Sequence, residues 1–383
     1  MFIVRRAKVE DSDTLHKLAR MVHFINLPPD RDIIHEKIIH SRRSFMRVGK
    51  NDKPKRLVAG RVRGGPGLAA TLLASDLFMF VLEDTEHNAP IGSSQLVARM
   101  GGPDRPNIRF RVERREMFSQ DLQTGTSHAV AKLDLDYSSP TEIGGLILQP
   151  SFRGHKLKLG RFLGLVRFHF IGLHRKLFSD RVLAEMMANI SPEGHNTFWD
   201  YLGRRFIPLS YDEADRFCQH SHEFMLSLLP TEPLYLSLLP PIARAGVGQV
   251  GPETVPARRM LEKLGFEYRD FIDPFDGGPH LDCATDDISV VRDTRWGTLG
   301  KPAAKKACTH HGIVSVLDTD GEFRAINDHF ALAEDGSVSL PSDVHEVLGA
   351  EPGAKVGYTP MDGPEVPRPR DRKKTTRKKA ATA

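Results

Sequence analysis

The largely apolar start of residues 2–9 reads as a strand, and then the acidic cluster Glu10-Asp11-Ser12-Asp13 opens a helical spacing over residues 14–22. Asn26-Leu27-Pro28-Pro29 ends that helix, and a second amphipathic helix is expected over 30–44. Residues 60–67, rich in glycine and arginine, read as a loop. Two alternating runs, 78–84 and 91–97, flank a polar turn and predict a hairpin of a central sheet; 129–136 and 142–148 predict two more strands. A long helix from residue 159, a strand at 181–186, a helix at 197–202 and another at 212–229 follow. A helix over 256–264 then leads to a strand at 268–272.

Two of these helices end in Leu-Gly, at Leu202-Gly203 and Leu264-Gly265. Glycine is common at helix ends, so the repetition is either ordinary termination or the trace of a duplicated half-fold. From about residue 295 the period changes to short strands at 313–317, 323–326, 330–332 and 355–358, separated by Asp-Gly turns. The expected architecture is α+β: a mixed sheet flanked by helices over residues 1–290, then a small β-rich C-terminal domain over 295–360. Residues 361–383 are expected to be a disordered basic tail.

Composition narrows the class. The 383 residues are 40% hydrophobic and 27% charged, ordinary for a globular protein. No apolar run is long enough to span a membrane, and the opening residues hold no signal-peptide core. Three widely separated cysteines (Cys218, Cys283, Cys308) suit a reducing compartment, so a cytoplasmic location is expected. No Cys-x-x-Cys or helically spaced histidine pair points to a metal, and none is expected. The net charge of +5 arises in the tail, where residues 368–379 carry eight Lys/Arg against Asp371 alone. That segment is either a solubilising extension or a weak contact for nucleic acid.

The most telling segment is Leu148-Gln149-Pro150-Ser151-Phe152-Arg153-Gly154, which joins the strand ending at Leu148 to the helix that begins near Leu159-Gly160. A strand, a loop with Arg and glycines, and a helix start can hold a phosphate through loop amides and the positive helix terminus. The pattern resembles the coenzyme A loop of acyl-CoA N-acyltransferases, roughly Pro-x-x-Arg-Gly-x-Gly-x-Gly/Ala. Pro150, Arg153 and Gly154 fit it, whereas Gly160 comes late. Longer blocks add to the likeness: Ala184-Glu185-Met186, the Phe-Trp-x-x-Leu-Gly-x-Arg-Phe block at residues 198–206, Gly248-Gln249-Val250, Phe275-Asp276-Gly277-Gly278-Pro279 and Leu281-Asp282-Cys283. With these the chain resembles the arginine N-succinyltransferase family over about residues 3–350, with an extra segment near 50–75.

The resemblance implies an acyl-CoA N-acyltransferase (GNAT-like) fold, succinyl-CoA as co-substrate, L-arginine or ornithine as acceptor, and a homodimer or paralogous subunit as partner. It implies that Leu146 meets succinyl-CoA through its backbone, with Leu148, Arg153, Gly154 and Gly160 completing the cofactor site. The family's Gln-Val-His-Pro carries its proton donor, but this chain reads Gln249-Val250-Gly251-Pro252. A tyrosine used by many relatives of the fold falls at Leu261. His195 is the first substitute, or a histidine near a helix start with no chemistry. Glu142 is a base acting through water, or a plain strand glutamate. Glu193, Asp273 and Asp276 are the candidate carboxylates to grip a guanidinium, or Asp276-Gly277-Gly278-Pro279 is simply turn chemistry. The competing expectation is a subunit that binds coenzyme A, or takes another acyl donor or amine, without this turnover.

Overall fold

A computed structural model describes residues 1–21, 27–51, 75–102, 105–191, 193–218 and 221–361. The basic tail, the 60–67 loop and most of the 50–75 segment lie outside the described residues. The chain opens with β1 (Phe2–Arg6), α1 (Ser12–Ala19) and α2 (Arg31–Gly49). Asp30 caps α2 by accepting hydrogen bonds from the Asp32 and Ile33 amides at 2.9 and 3.1 Å. Two hairpins follow, β2 (Leu77–Asp84) with β3 (Ala89–Val97), and β4 (Asn107–Ser119) with β5 (Thr124–Asp136). Next come β6 (Thr141–Leu148), α3 (Leu159–Leu173) and β7 (Arg181–Glu185).

The middle of the chain holds a π-helical turn at Trp199–Gly203, α4 (Tyr211–Cys218), α5 (Glu223–Leu228), β8 (Leu234–Tyr235), α6 (Pro241–Gly246) and α7 (Val255–Lys263). The strands β9 (Glu267–Ile272) and β10 (Pro279–Ala284) close this part. After α8 (Ser289–Asp293) come β11 (Arg295–Leu299), β12 (His310–Leu317), β13 (Phe323–Leu332), β14 (Ser337–Ser339), α9 (Ser342–Leu348) and β15 (Lys355–Pro360).

The sheet of the first part runs β1-β2-β3-β6-β7-β10-β9-β4-β5-β8. Every neighbouring pair in it is antiparallel except β6 and β7, which α3 joins as a parallel crossover. The C-terminal strands form a ring, β12-β15-β11-β14-β13, closed by β12 pairing back with β13. β13 also pairs with β1, so the ring and the main sheet share hydrogen bonds and no break falls at residue 290.

The core follows from the sequence of α3, Leu-Gly-Arg-Phe-Leu-Gly-Leu-Val-Arg-Phe-His-Phe-Ile-Gly-Leu, which is buried nearly all round. Phe170 of α3 meets Phe45 of α2, Phe78 and Phe80 of β2, and Phe323 of β13, with ring centroids 4.7–5.6 Å apart. His169 of α3 is fully buried and bonds Thr359 Oγ1 at 2.6 Å and Ser315 Oγ at 2.7 Å, tying the helix to β15 and β12.

Two expectations are corrected, and one strand goes unread in the sequence. The helix expected over 212–229 is two, α4 and α5, broken around Ser221-His222. Strand β4 escapes an alternation test because its outer half, Arg111 to Ser119, is largely exposed and highly charged. Leu202-Gly203 lies in the π-helical turn and runs into a further helical turn, Arg204–Phe206, rather than a strand, so the duplicated half-fold is not present there.

Candidate functional site

The site begins where β6 leaves its neighbours. The parallel ladder to β7 holds only at Thr141↔Val182 and Glu142↔Leu183. On the other side the register with β3 shifts between Ser93 and Gln95. Gly145 takes φ +56° there, and a Cβ on it would sit 2.9 Å from the Gln95 side-chain nitrogen. An extra residue in one strand bends it and unpairs backbone groups, and glycine is the residue that adopts this φ without cost. No ladder bond joins β6 to β7 from Ile143 onward, which leaves a wedge between the two strands.

The loop after β6 folds back over that wedge. Gln149 N–H donates to Ile91 O at 2.8 Å, and Pro150–Phe152 makes one 3-10 turn. Gly154 has φ +73°, and a Cβ there would meet nothing within 4 Å. The amides of Gly154 and Lys156 make no backbone hydrogen bond in the loop. Lys158 sits at φ 51°, and α3 starts beside it with no side-chain cap. An uncapped start on a fifteen-residue helix presents amide donors and the positive end of the dipole. Arg153 Nε donates to Leu148 O at 3.3 Å, and its Nη1 lies 3.3 Å from Glu253 Oε2. Leu146 and Leu148 are half-buried against the main core. Gly160 is the second residue of α3, and a Cβ on it would touch only Leu148 at an ordinary 3.6 Å, so the protein itself does not demand glycine there.

Beside the wedge lies a basin of buried acids. Glu185 ends β7 and faces His280 of β10 across the ladder. His280 Nε2 is 3.7 Å from Glu185 Oε1 and 4.0 Å from Asp273 Oδ2, and neither ring nitrogen has a hydrogen-bond partner. Asn107 Nδ2 donates to Glu185 Oε1 at 2.9 Å. Burial, reinforced by the charges of Glu142, Asp273 and Asp276, raises the Glu185 carboxyl well above the usual range. Burial and then Asp273 push Asp276 up to about 8. Burial, Asp212 and Asp273 push Asp215 of α4 up to about 7, and its Oδ1 is buried without a hydrogen bond.

Burial and the same carboxylates raise the Tyr211 hydroxyl. A buried cation sits among them: burial draws the Lys37 ammonium of α2 down to about 8 against the opposing pull of Glu142 and Asp215. Carboxyls held above their ordinary range by burial, and then by one another, mark a place short of positive charge, which a guanidinium or ammonium would supply. Glu185, Asp273 and His280 also put one donor atom each within 4.8 Å of the others, a set able to hold a metal ion.

The residues expected from sequence divide into two groups. Glu142, Asp273 and Asp276 fall in the basin. Asp276 spends its oxygens on the Gly278 and Ala188 amides at 2.7 and 2.8 Å, and Asp273 Oδ1 takes the amides of Phe275 and Asp276, so both also build the turn. His195 and Glu193 stand apart from the basin. His195 is 69% exposed with Nδ1 3.7 Å from Asp200, and Glu193 is an exposed carboxyl held low by its Ser191 hydrogen bond. Gly251 lies next to the exit of β7, its N–H on Met187 O at 3.1 Å, and a Cβ there would come within 2.9 Å of Ala188 O.

Sequence reading missed Glu185, Asp215, Tyr211, His280 and Lys37. Only Lys37 gave a signal, because it sits on the apolar face of α2 between Ile33, Ile34, Ile38 and Ser41, all buried.

With this geometry in hand, comparisons with known proteins agree among themselves. The family model described as arginine N-succinyltransferase beta subunit matches residues 67–290. An arginine N-succinyltransferase of Yersinia pestis (strain Pestoides F) is 35% identical over 299 residues, 76% of this chain and 84% of the relative. One from Enterobacter sp. (strain 638) is 35% identical over 229 residues, 59% of this chain and 66% of the relative. The solved structure of arginine/ornithine succinyltransferase subunit AI from Pseudomonas aeruginosa superimposes with a TM-score of 0.73 at 25% identity, covering 95% of this chain and 99% of that one. On the family match and the relatives' identity and coverage, the chain belongs to the arginine N-succinyltransferase family.

Proposed function

We propose that the protein is an arginine N-succinyltransferase, moving the succinyl group of succinyl-CoA to the α-amine of L-arginine in arginine catabolism. One observation carries this reading. A wedge fitted for a thioester, ended by an anion-binding loop, adjoins a basin fitted for a cation. Family membership supports the chemistry, and the strand order around one parallel splay supports an acyl-CoA N-acyltransferase fold.

In this reading the loop amides, Arg153, Gly154 and the start of α3 take the coenzyme A diphosphate. The pantetheine arm lies in the wedge, and the amide of Leu146 past the bulge donates to the thioester oxygen as negative charge develops on it. Asp215 and Asp273 receive the guanidinium. Glu185 is the base: it ends β7, the strand that splays from β6, and its raised affinity for a proton suits it to take one from the α-ammonium. The freed amine attacks the thioester carbon, the C–N bond forms, the nitrogen gives its second proton to solvent, and the C–S bond breaks. With Gly251 and Leu261 where relatives carry an acid, the thiolate leaves unassisted, which its ordinary pKa of about 8.5 permits.

Among the described residues no helix is long and apolar enough to cross a membrane. We place the protein in the cytoplasm, where its three free, buried cysteines need no partner, and expect a homodimer or a paralogous subunit beside it. The test is product identity. The protein is incubated with succinyl-CoA or acetyl-CoA and arginine, ornithine or lysine, while free thiol is followed and the product weighed by mass spectrometry. N-succinylarginine formation supports the reading; thiol release indifferent to the amine, or none at all, overturns it.

A further inference from the structure

Arg167 is a side chain near the wedge that the chemistry above leaves without a task. It lies on α3 and is only 3% exposed. Its Nε donates to Gly164 O at 3.1 Å, and its Nη1 donates to Gly144 O at 3.3 Å, immediately before the Gly145 bulge. A Cβ on Gly164 would meet Met260 Cε at 2.7 Å and Arg167 Nη2 at 3.7 Å, so the guanidinium lies where α3, α7 and the bulged strand converge. Among the described residues no carboxylate faces it. Burial alone accounts for its depressed affinity for a proton, to about 9. A buried guanidinium with two carbonyls and no anion is costly, and the group that would complete it is a carboxylate with two oxygens for its planar donors.

We infer that Arg167 holds the distal carboxylate of a dicarboxylic acyl group, so that this site selects succinyl over uncharged acyl chains of equal length. The inference rests on the acyl-transfer reading above. The carbonyls of Gly144 and Gly164 fix the plane of the guanidinium, so its position is set by the same bulge that receives the thioester. The basin of acids comes from β6, β7, α4 and the turn after β9, so the acyl carboxylate and the acceptor's guanidinium have separate partners of opposite charge.

The test compares kcat/KM for succinyl-CoA and for butyryl-CoA, which has the same chain length without the charge. The wild type is expected to prefer succinyl-CoA by about 100-fold or more. Arg167→Gln should bring that ratio close to one through the succinyl-CoA term, leaving inhibition by free coenzyme A unchanged, and Arg167→Lys should recover part of it. A wild-type ratio near one overturns the inference, and so does an Arg167→Gln enzyme that loses both donors equally. Should Arg167→Gln fail to fold, the wild-type ratio still decides. Transfer from neither donor overturns the acyl-transfer reading together with this one, whereas transfer without discrimination overturns this one alone.

Discussion

Asp215→Asn separates a ligand role from a structural one, because the two move stability and binding in different directions. Asp215 is buried beside Asp212 and Asp273, with Oδ1 unpartnered and its carboxyl raised from 3.8 to about 7. Holding it there costs the ionised form on the order of 4 kcal/mol in the free protein above pH 7. The native state binds the proton more tightly than the unfolded chain, so this cost is absent below about pH 4 and complete above about pH 7. The isosteric amide removes it. At pH 8 the variant should melt about 2–5 °C higher than wild type, and at pH 4 the difference should vanish.

Arginine binding should change the other way. Removing one partner of a buried charged hydrogen bond costs about 2–5 kcal/mol, so the KM for arginine should rise roughly 30-fold to 1,000-fold or more. The KM for succinyl-CoA should stay put. Differential scanning fluorimetry across pH and steady-state kinetics read both quantities. A variant that melts lower at pH 8 and keeps its arginine KM would show Asp215 to be part of the scaffold and refute the reasoning.

Other residues give sharper readouts of single steps. Glu185→Gln should lower kcat by roughly 100-fold to 10,000-fold and flatten the alkaline rise of the rate with pH, while binding of coenzyme A measured by calorimetry is unaffected; an unchanged pH profile would remove Glu185 from the role of base. Gly251→His, which restores the family's histidine, should destabilise the protein without raising kcat, since a Cβ there meets the Ala188 carbonyl at 2.9 Å; a faster, equally stable enzyme would contradict the packing argument. Burial lowers His169 from 6.5 to about 3, so the unfolded chain takes up protons below pH 6.5 that the native state refuses. The wild type's stability margin over His169→Gln should therefore be full above pH 6.5 and shrink towards pH 4 by up to about 1.4 kcal/mol per pH unit; a constant margin in chemical denaturation would show that His169 is not held neutral.

Much of the first part of the fold is legible in the sequence because its amphipathic helices and its long apolar runs each carry a plain burial signal. The period of α2, its Asp30 cap and the apolar run of β2, which is buried on both faces, state their burial directly. The loop from Pro150 to Lys158 is legible as a strand–loop–helix junction, although Lys158 takes a left-handed conformation that glycine would adopt freely, so its spacing departs from the usual pattern. Strand β4 is hidden by its exposed charged half, and β14 by having only three residues.

The basin is hidden for a different reason. Its carboxylates come from β6, β7, α4 and the turn after β9, and no local spacing relates Glu185 to Asp215 or Asp273. Exposed His195 and Glu193 look like chemistry in a polar loop, whereas the raised carboxyls of the basin owe their shifts first to burial, which no local pattern in the sequence shows.

The central claim is that the wedge beside β6 and the acidic basin are two halves of one site. A crystal structure of the protein with coenzyme A and arginine tests it most directly. The diphosphate should lie on the loop between Arg153 and Lys158, the sulfur beside the Gly145 bulge, and the guanidinium within hydrogen-bond distance of Asp215 and Asp273, with the α-amine facing Glu185. Arginine bound elsewhere, or a metal ion seated between Glu185, Asp273 and His280 with arginine excluded, would contradict it.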